Sequence, residues 1–157
     1  MLKEILIHPN KLLHQISEPV KTSSISSKKF QKLIVDMAET MIKKDGVGLA
    51  APQIGENIRV IVVNTKDGVL ALINPEIKKK SWRQETDEEG CLSVPGVYGY
   101  VKRPYQIEVS GYTKTGEKID LKAKGLLARV CQHEIDHLDG ILFIDKAKRI
   151  KQTIQEL

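Results

Sequence analysis

The chain has 157 residues, of which 41% are hydrophobic and only 4% aromatic, and its formal net charge is +5. This length and composition suit one globular domain whose core is filled mainly by Leu, Ile and Val. They argue against a membrane span, because no apolar run approaches the roughly 20 residues that a span requires. They also argue against a nucleic-acid footprint, because the sequence contains no compact basic block with interleaved aromatic residues.

The first predicted element is an amphipathic helix. From Phe30 to Ile42 the apolar residues follow the i, i+3, i+4, i+7 pattern, with Ser26 or Ser27 as the N-cap and Gly46 just beyond the end. The segment before it has neither the apolar stretch of a secretory signal nor the Arg- and Ser-rich composition of a transit peptide. We therefore expect a cytoplasmic protein.

Beyond this helix, the pattern changes to that of strands. Residues 58–63, rich in Ile and Val, and the aliphatic residues 69–73 predict two strands. Between residues 107 and 123, apolar and polar residues alternate on both sides of a turn at 113–116, which predicts a hairpin. The lysines at 78–80 are interpreted as a solvated turn.

A second helix is predicted from Leu126 to about Leu138, preceded by Gly125 and stopped near Gly140. Since the strands cluster between two helices, the class is α+β, with small antiparallel or mixed sheets around the second helix. We expect a single catalytic domain over residues 1–157, in which about 146–157 form a polar, partly helical tail.

The second helix carries the main chemical signal. Residues 133–137 read HEIDH, and two histidines four positions apart lie on one face of a helix, so both imidazoles can reach one ion. Glu134, next to the first histidine, is then placed to move protons during a hydrolysis. The pattern predicts that His133 and His137 are metal ligands.

The third ligand is expected upstream. No histidine follows His137, and the only later glutamate is Glu156, near the end of the chain. The best candidate is Cys91, because Gly90 beside it lets the backbone approach closely. A catalytic site of this kind uses three protein ligands and keeps one position open.

The second thiol, Cys131, is not expected to bind the ion. It precedes His133 by two positions, which turns it roughly 200° around the helix axis, so it should fill the core instead. His8 and His14, in the N-terminal segment, are interpreted as surface or locally hydrogen-bonded residues.

Three separated segments resemble the signature motifs of the peptide deformylase family, in the family's order. They are residues 46–53 (GVGLAAPQ), 89–93 (EGCLS) and 133–137 (HEIDH). The resemblance runs through nearly the whole chain and suggests a short bacterial-type member. Many members have an arginine where this chain reads GVYGY at 96–100, and we expect Tyr98 or Tyr100 to shape the rim of the site instead.

The resemblance implies a metal-dependent hydrolase that removes the N-formyl group from the N-terminal formyl-methionine of newly synthesised proteins, releasing formate. It implies one divalent ion, Fe²⁺ physiologically, with Zn²⁺, Ni²⁺ or Co²⁺ as other occupants that suit this donor set. The ion would be held by Cys91, His133 and His137. Glu134 would carry the proton. The developing oxyanion would be stabilised by the side-chain amide of Gln53 and the backbone N–H of Leu92.

The formyl group is small, so specificity must come from the methionine side chain and the peptide backbone. Leu126 and Val130 lie one turn before the metal motif on the same helical face and are expected to form walls for that side chain. An extended peptide could pair in strand fashion with the small-residue stretch formed by Gly46, Val47 and Gly48.

Two other functions remain open at this point. One is a metallopeptidase that cuts internal peptide bonds, against which the upstream cysteine argues. The other is a non-catalytic metal-binding or ribosome-binding module. The expected partners are formyl-methionyl nascent polypeptides, with the ribosome as a further contact and neither DNA nor membrane involved.

Overall fold

The computed structural model describes residues 1–153, which contain two α-helices, eight strands and four short 3-10 helices. The helices are α1 (Lys28–Lys43) and α2 (Gly125–Leu138). The strands are β1 (Gly48–Ala50), β2 (Val60–Thr65), β3 (Gly68–Lys80), β4 (Gln84–Cys91), β5 (Val94–Pro104), β6 (Gln106–Tyr112), β7 (Lys118–Lys124) and β8 (Lys148–Gln152). Glu156, considered above, lies outside the described residues.

Helix α1 begins where the sequence predicts and differs at its end. The Ser27 hydroxyl accepts a hydrogen bond from the Phe30 backbone N–H at 3.2 Å, which makes Ser27 the N-cap. Its buried face includes Phe30 and Met37, while Ile42, at the end of the predicted stripe, is 56% exposed. Asp45 adopts the left-handed conformation after the helix (φ 55°), and Gly46 follows it just beyond the end, as predicted, with its N–H donating to the Met41 carbonyl at 2.9 Å.

A five-stranded antiparallel sheet has the order β1-β2-β3-β6-β7. The hairpin predicted for residues 107–123 is confirmed as β6 and β7. The interpretation of residues 78–80 as a turn is wrong, because β3 continues to Lys80, where it pairs with Ile107 of β6. Backbone pairing with a neighbouring strand here overrides the weak strand propensity of lysine.

A second sheet has the order β4-β5-β8. Its β4–β5 hairpin escaped prediction, because most β4 side chains are exposed and the strand lacks apolar alternation. The C-terminal segment is not partly helical as expected: β8 pairs with β5 between Val97 and Tyr100, although all five of its side chains are exposed. The remainder of the predicted tail, residues 154–157, lies outside the described residues.

Helix α2 lies between the two sheets. One face, including Cys131, Ile135 and Leu138, packs against the large sheet with Ile61 and Leu72. On another face, Arg129 and His133 reach the β4–β5 hairpin. This arrangement confirms an α+β fold built around a central helix. No helix within residues 1–153 is long and apolar enough to cross a membrane.

Candidate functional site

Three side chains with metal-binding atoms converge between α2 and the end of β4. Cys91, His133 and His137 each offer one ligand atom, and these atoms all lie within 4.8 Å of one another. The Cys91 Sγ is 3.3 Å from the His137 Nε2. The i, i+4 spacing on α2 brings the two imidazole centroids to 5.1 Å, and the β4–β5 turn delivers the thiol from the other sheet.

The chemistry of these donors fits a divalent ion. The His133 Nδ1 lies 2.8 Å from a Glu89 carboxylate oxygen, which leaves its Nε2 for the site. Burial lowers the pKa of His137 well below its ordinary value, so this imidazole is neutral, as a ligand must be. Burial also opposes charge on His133, but hydrogen bonds to Cys91 and Glu89 prevail and raise its pKa to about 10. Cys91 and Glu89 thus favour a positive charge at His133, and a bound ion would take the place of the proton on its Nε2.

Glu134 lies beside this cluster and is 4% exposed. Burial raises the pKa of its carboxyl group to about 7, with the charge of His133 acting against the rise. Within residues 1–153, its Oε2 and the Nδ1 of His137 are buried and have no hydrogen-bond partner. A carboxyl group with a pKa near neutrality can both accept and release a proton.

The backbone of β1 passes directly over Glu134. A Cβ atom placed on Gly48 would lie 2.7 Å from the Glu134 Oε1 and 2.8 Å from the Val130 Cγ1. Such distances do not occur between real atoms without displacement. Glycine at position 48 is therefore needed for the β1 backbone to approach Glu134 this closely. The sequence had predicted only a peptide-binding role for Gly48.

Gln53 is fixed by contacts at both ends of its amide. Its Oε1 accepts a hydrogen bond from the Ala50 N–H at 2.9 Å, and its Nε2 donates to the Ser93 hydroxyl at 3.2 Å. The same Nε2 lies 3.5 Å from the Cys91 Sγ. These contacts orient the amide donor towards the metal-binding cluster.

A cavity of about 500 Å³ opens onto the cluster. Its wall contains every residue predicted for substrate contact, together with the predicted oxyanion donors: Gly46, Val47, Gly48, Gln53, Leu92, Leu126 and Val130. Leu126 is 69% exposed and Val130 is buried, so one lies towards the mouth and the other deeper. Tyr98 also lines the cavity, whereas the Tyr100 ring lies beneath the Lys151 ammonium group at 5.9 Å.

A buried ion-pair network behind His133 escaped sequence reasoning. Both Glu89 oxygens accept hydrogen bonds from Arg103, at 2.6 and 2.9 Å, and Oε2 accepts a further one from Arg129 at 2.6 Å. Burial alone would raise the pKa of Glu89, but contacts with His133 and Arg103 lower it to about 2. Glu89 therefore stays charged and orients His133. The only sequence signal was its place as the first residue of the 89–93 motif.

The remaining cysteine and histidines lie away from the cluster. Cys131 is fully buried in the core, and burial raises the pKa of its thiol to about 12. The His8 Nδ1 and the His14 Nε2 are 3.2 Å apart at the surface. Their positions agree with the sequence interpretation.

Comparisons with known proteins give a consistent result. The family model described as polypeptide deformylase matches residues 2–153. A peptide deformylase of Pelotomaculum thermopropionicum is 57% identical over 78% of this chain and 79% of its own length. Peptide deformylase 1 of Bacillus subtilis is 46% identical over 94% of this chain and 91% of its own.

Solved structures extend this similarity to three dimensions. A class I type b peptide deformylase of Acinetobacter baumannii, bound to Met-Ala-Ser, superposes with a TM-score of 0.89 at 35% identity, covering 93% of this chain and 98% of the other. A Synechococcus elongatus peptide deformylase in complex with actinonin gives 0.89 at 41% identity, covering 94% and 79%.

Proposed function

Because the chain belongs to the peptide deformylase family of metallohydrolases, which remove the N-formyl group from nascent polypeptides, we propose that Cys91, His133 and His137 hold its metal ion. The convergence of their three ligand atoms carries this assignment. A divalent ion bound there supplies a Lewis acid to the water and the carbonyl group of the reaction.

Glu134 acts as the proton carrier. It accepts a proton from the water that attacks the formyl carbon and later gives it to the departing amine. Its pKa of about 7 and its position against the cluster support both roles. Protonation of the amine is what lets the peptide leave with a free N-terminus.

Gln53 and Leu92 stabilise the charge that develops on the formyl oxygen. The Gln53 amide is held in place before substrate arrives, so orienting it costs nothing during the reaction. The Leu92 backbone N–H follows Cys91 directly, and both residues line the cavity. Fixed donors of this kind commonly contribute 10²–10³ in rate, as an order of magnitude.

The peptide binds along β1 with its methionine side chain in the cavity. Within residues 1–153, β1 is an edge strand of its sheet, so an extended peptide could add as a further strand beside Gly46, Val47 and Gly48. Leu126 and Val130 supply the apolar wall for an unbranched side chain. The Acinetobacter baumannii relative was solved bound to Met-Ala-Ser, a peptide that begins with methionine, which supports methionine as the recognised side chain.

We further propose ferrous iron as the physiological ion, with zinc, nickel or cobalt able to occupy the same donors. The enzyme would work as one catalytic domain over residues 1–157 in the cytoplasm, where nascent chains leave the ribosome. A ribosome contact would bring the cavity close to its substrate, and the net charge of +5 suits such a partner.

A formate-release assay tests the activity. A formyl-methionyl peptide should yield formate, and an unformylated protein should not be cleaved, which separates this function from that of an endopeptidase. Protein purified without air should contain iron by elemental analysis and lose turnover on chelation. Internal cleavage, or metal-loaded protein without formate release, would contradict the proposal.

A further inference from the structure

Trp82, the only tryptophan in the chain, is fully exposed in the turn between β3 and β4. The turn is anchored to the start of β6. The Ser81 N–H donates to the Gln106 carbonyl at 2.8 Å, and the Gln106 N–H donates to the Ser81 hydroxyl at 3.0 Å. A large aromatic ring held in water by a fixed turn contributes nothing to the core and is available to a partner.

Basic side chains from two other strands surround this turn. Lys79 lies near the end of β3 beside it, and Lys124 pairs with Gln106 at the end of β7. We define the Trp82 surface as Lys79, Trp82, Arg83, Lys122 and Lys124. Lys80 is not included, because it pairs with the buried Ile107 and so projects from the opposite face of the sheet. The nearby carboxylates are Glu85, 2.7 Å from Arg83, and Glu108, which is 3.8 Å from both Lys79 and Lys122. Within residues 1–153, Lys124 forms no ion pair.

A second, half-buried aromatic ring packs against the residue that follows Trp82. The Arg83 guanidinium lies over the Tyr105 ring at 4.0 Å, and the Tyr105 N–H donates to the Arg83 carbonyl at 3.0 Å. Three separated segments thus assemble aromatic rings and cations that are scattered in the linear sequence. An exposed aromatic ring among excess lysine and arginine is the pattern of a single-strand nucleic-acid surface.

We propose that the Trp82 surface binds single-stranded RNA. Lysines neutralise backbone phosphates, and the flat Trp82 ring offers a stacking face to a base. An acidic peptide would satisfy the lysines and leave the ring without a partner. The assignment to RNA and not DNA rests on the proposed function, because nascent chains emerge from an RNA-rich particle.

The Trp82 surface is remote from the catalytic cavity. Strand β4 starts two residues after Trp82 and ends at Cys91, a span of roughly 23 Å at about 3.3 Å per residue. Bound RNA would therefore leave the cavity open. It would hold the enzyme where formylated chains appear and would not alter turnover of a short peptide.

The single tryptophan makes binding directly measurable. Intrinsic fluorescence reports on Trp82 alone, so titration with an oligouridylate of about twelve nucleotides should give saturable quenching. If three phosphates are neutralised, the logarithm of the affinity should fall against the logarithm of salt concentration with a slope of roughly −2. Deformylation of a formyl-Met-Ala-Ser peptide should be unchanged by the RNA.

Variants separate stacking from charge, with anisotropy of fluorescein-labelled oligouridylate as the readout. Trp82→Ala should weaken binding about tenfold, and Trp82→Phe should restore most of it. Lys122→Glu with Lys124→Glu, two positions on the same face of β7, should weaken binding further and flatten the salt slope. The matched control, Lys28→Glu with Lys29→Glu at the start of α1, changes the charge equally on another surface and should bind as wild type does.

Three results would overturn the proposal: unchanged affinity in Trp82→Ala, equal loss in the control pair, or equal quenching by polyglutamate. A deoxyuridylate oligomer that binds as tightly would overturn the assignment to RNA. Formate release by wild type in the same preparation keeps the two ideas distinct. Loss of that activity with RNA binding intact contradicts only the proposed function.

Discussion

At the scale of single residues, the proposed mechanism depends on two side chains that are not among the proposed metal ligands. Glu134 and Gln53 lie on different elements, and both are almost completely buried. Burial raises the pKa of Glu134, and three hydrogen-bond contacts hold the Gln53 amide in place. Their substitution therefore tests the chemistry while the metal ligands stay in place.

Glu134→Gln should retain metal and lose nearly all formate release. The amide has similar volume but cannot accept and return a proton, so the rate should fall by about 10² or more. Turnover and metal content are measured on the same sample. Near-normal turnover in the metal-loaded variant would remove Glu134 from the mechanism.

Gln53→Leu should fold and bind metal but lose roughly 10²–10³ in kcat, the scale expected for an oxyanion donor. The substitution removes the Nε2 that lies near Cys91 and also frees the Ala50 N–H. Circular dichroism controls for folding. A rise in KM with kcat unchanged would make Gln53 a substrate-binding residue instead.

At the scale of elements, β1 and β4 press against α2 from opposite sheets, and both contacts are tight. Gly48 of β1 leaves no room for a side chain above Glu134. Glu89 of β4 joins two buried arginines to His133. Each contact supports a prediction that does not touch a metal ligand.

Gly48→Ala should lower kcat at least tenfold, because its methyl group would displace Glu134 or Val130. Gly46→Ala is the matched control. A Cβ there would meet mainly the flexible end of Leu92, at 3.0 Å, so the loss should be small. If the two variants lose equal activity, general crowding of the segment explains the effect and the Gly48–Glu134 contact does not.

Glu89→Gln should destabilise the fold and change its acid sensitivity. Since the folded-state pKa of about 2 lies below the ordinary 4.5, the charge contributes about 3 kcal/mol that is complete above pH 4.5 and lost as the pH falls towards 2. The variant lacks this contribution and leaves two buried arginines undercompensated. Urea unfolding at pH 7 and pH 3 should show a smaller difference between the two proteins at pH 3. An equal difference at both would contradict the role of the charge.

Helical and alternating apolar elements were predictable from sequence, while edge strands and long-range polar contacts were not. Helix α1 and the β6–β7 hairpin have strong periodicity, and the HEIDH helix gives a phase that placed Cys131 in the core. By contrast, β4 and β8 form through backbone pairing with β5, which leaves no apolar pattern. The Glu89 network joins residues 14 to 44 positions apart, so local pattern could not reveal it.

At the scale of the whole molecule, the candidate metal centre joins the two sheets. Cys91 belongs to the small sheet, while both histidines belong to α2, which packs on the large one. The ligand atoms come together only in the folded chain. An ion bound there therefore stabilises the native state over the unfolded one.

Bound metal should raise the Tm of the wild-type protein by an amount set by the ratio of the free metal concentration to its Kd. At free metal about 100 times the Kd, the gain is about 2.7 kcal/mol, or roughly 5–10 °C in Tm for a domain of this size. Cys131→Ser should show the same metal-dependent rise in Tm, but from a lower metal-free Tm, because the Cys131 thiol fills the core. Cys91→Ser should show little or no shift. Calorimetry with and without chelator compares the three proteins, and equal metal shifts in both cysteine variants would mean that Cys91 is not the ligand that ties the sheets together.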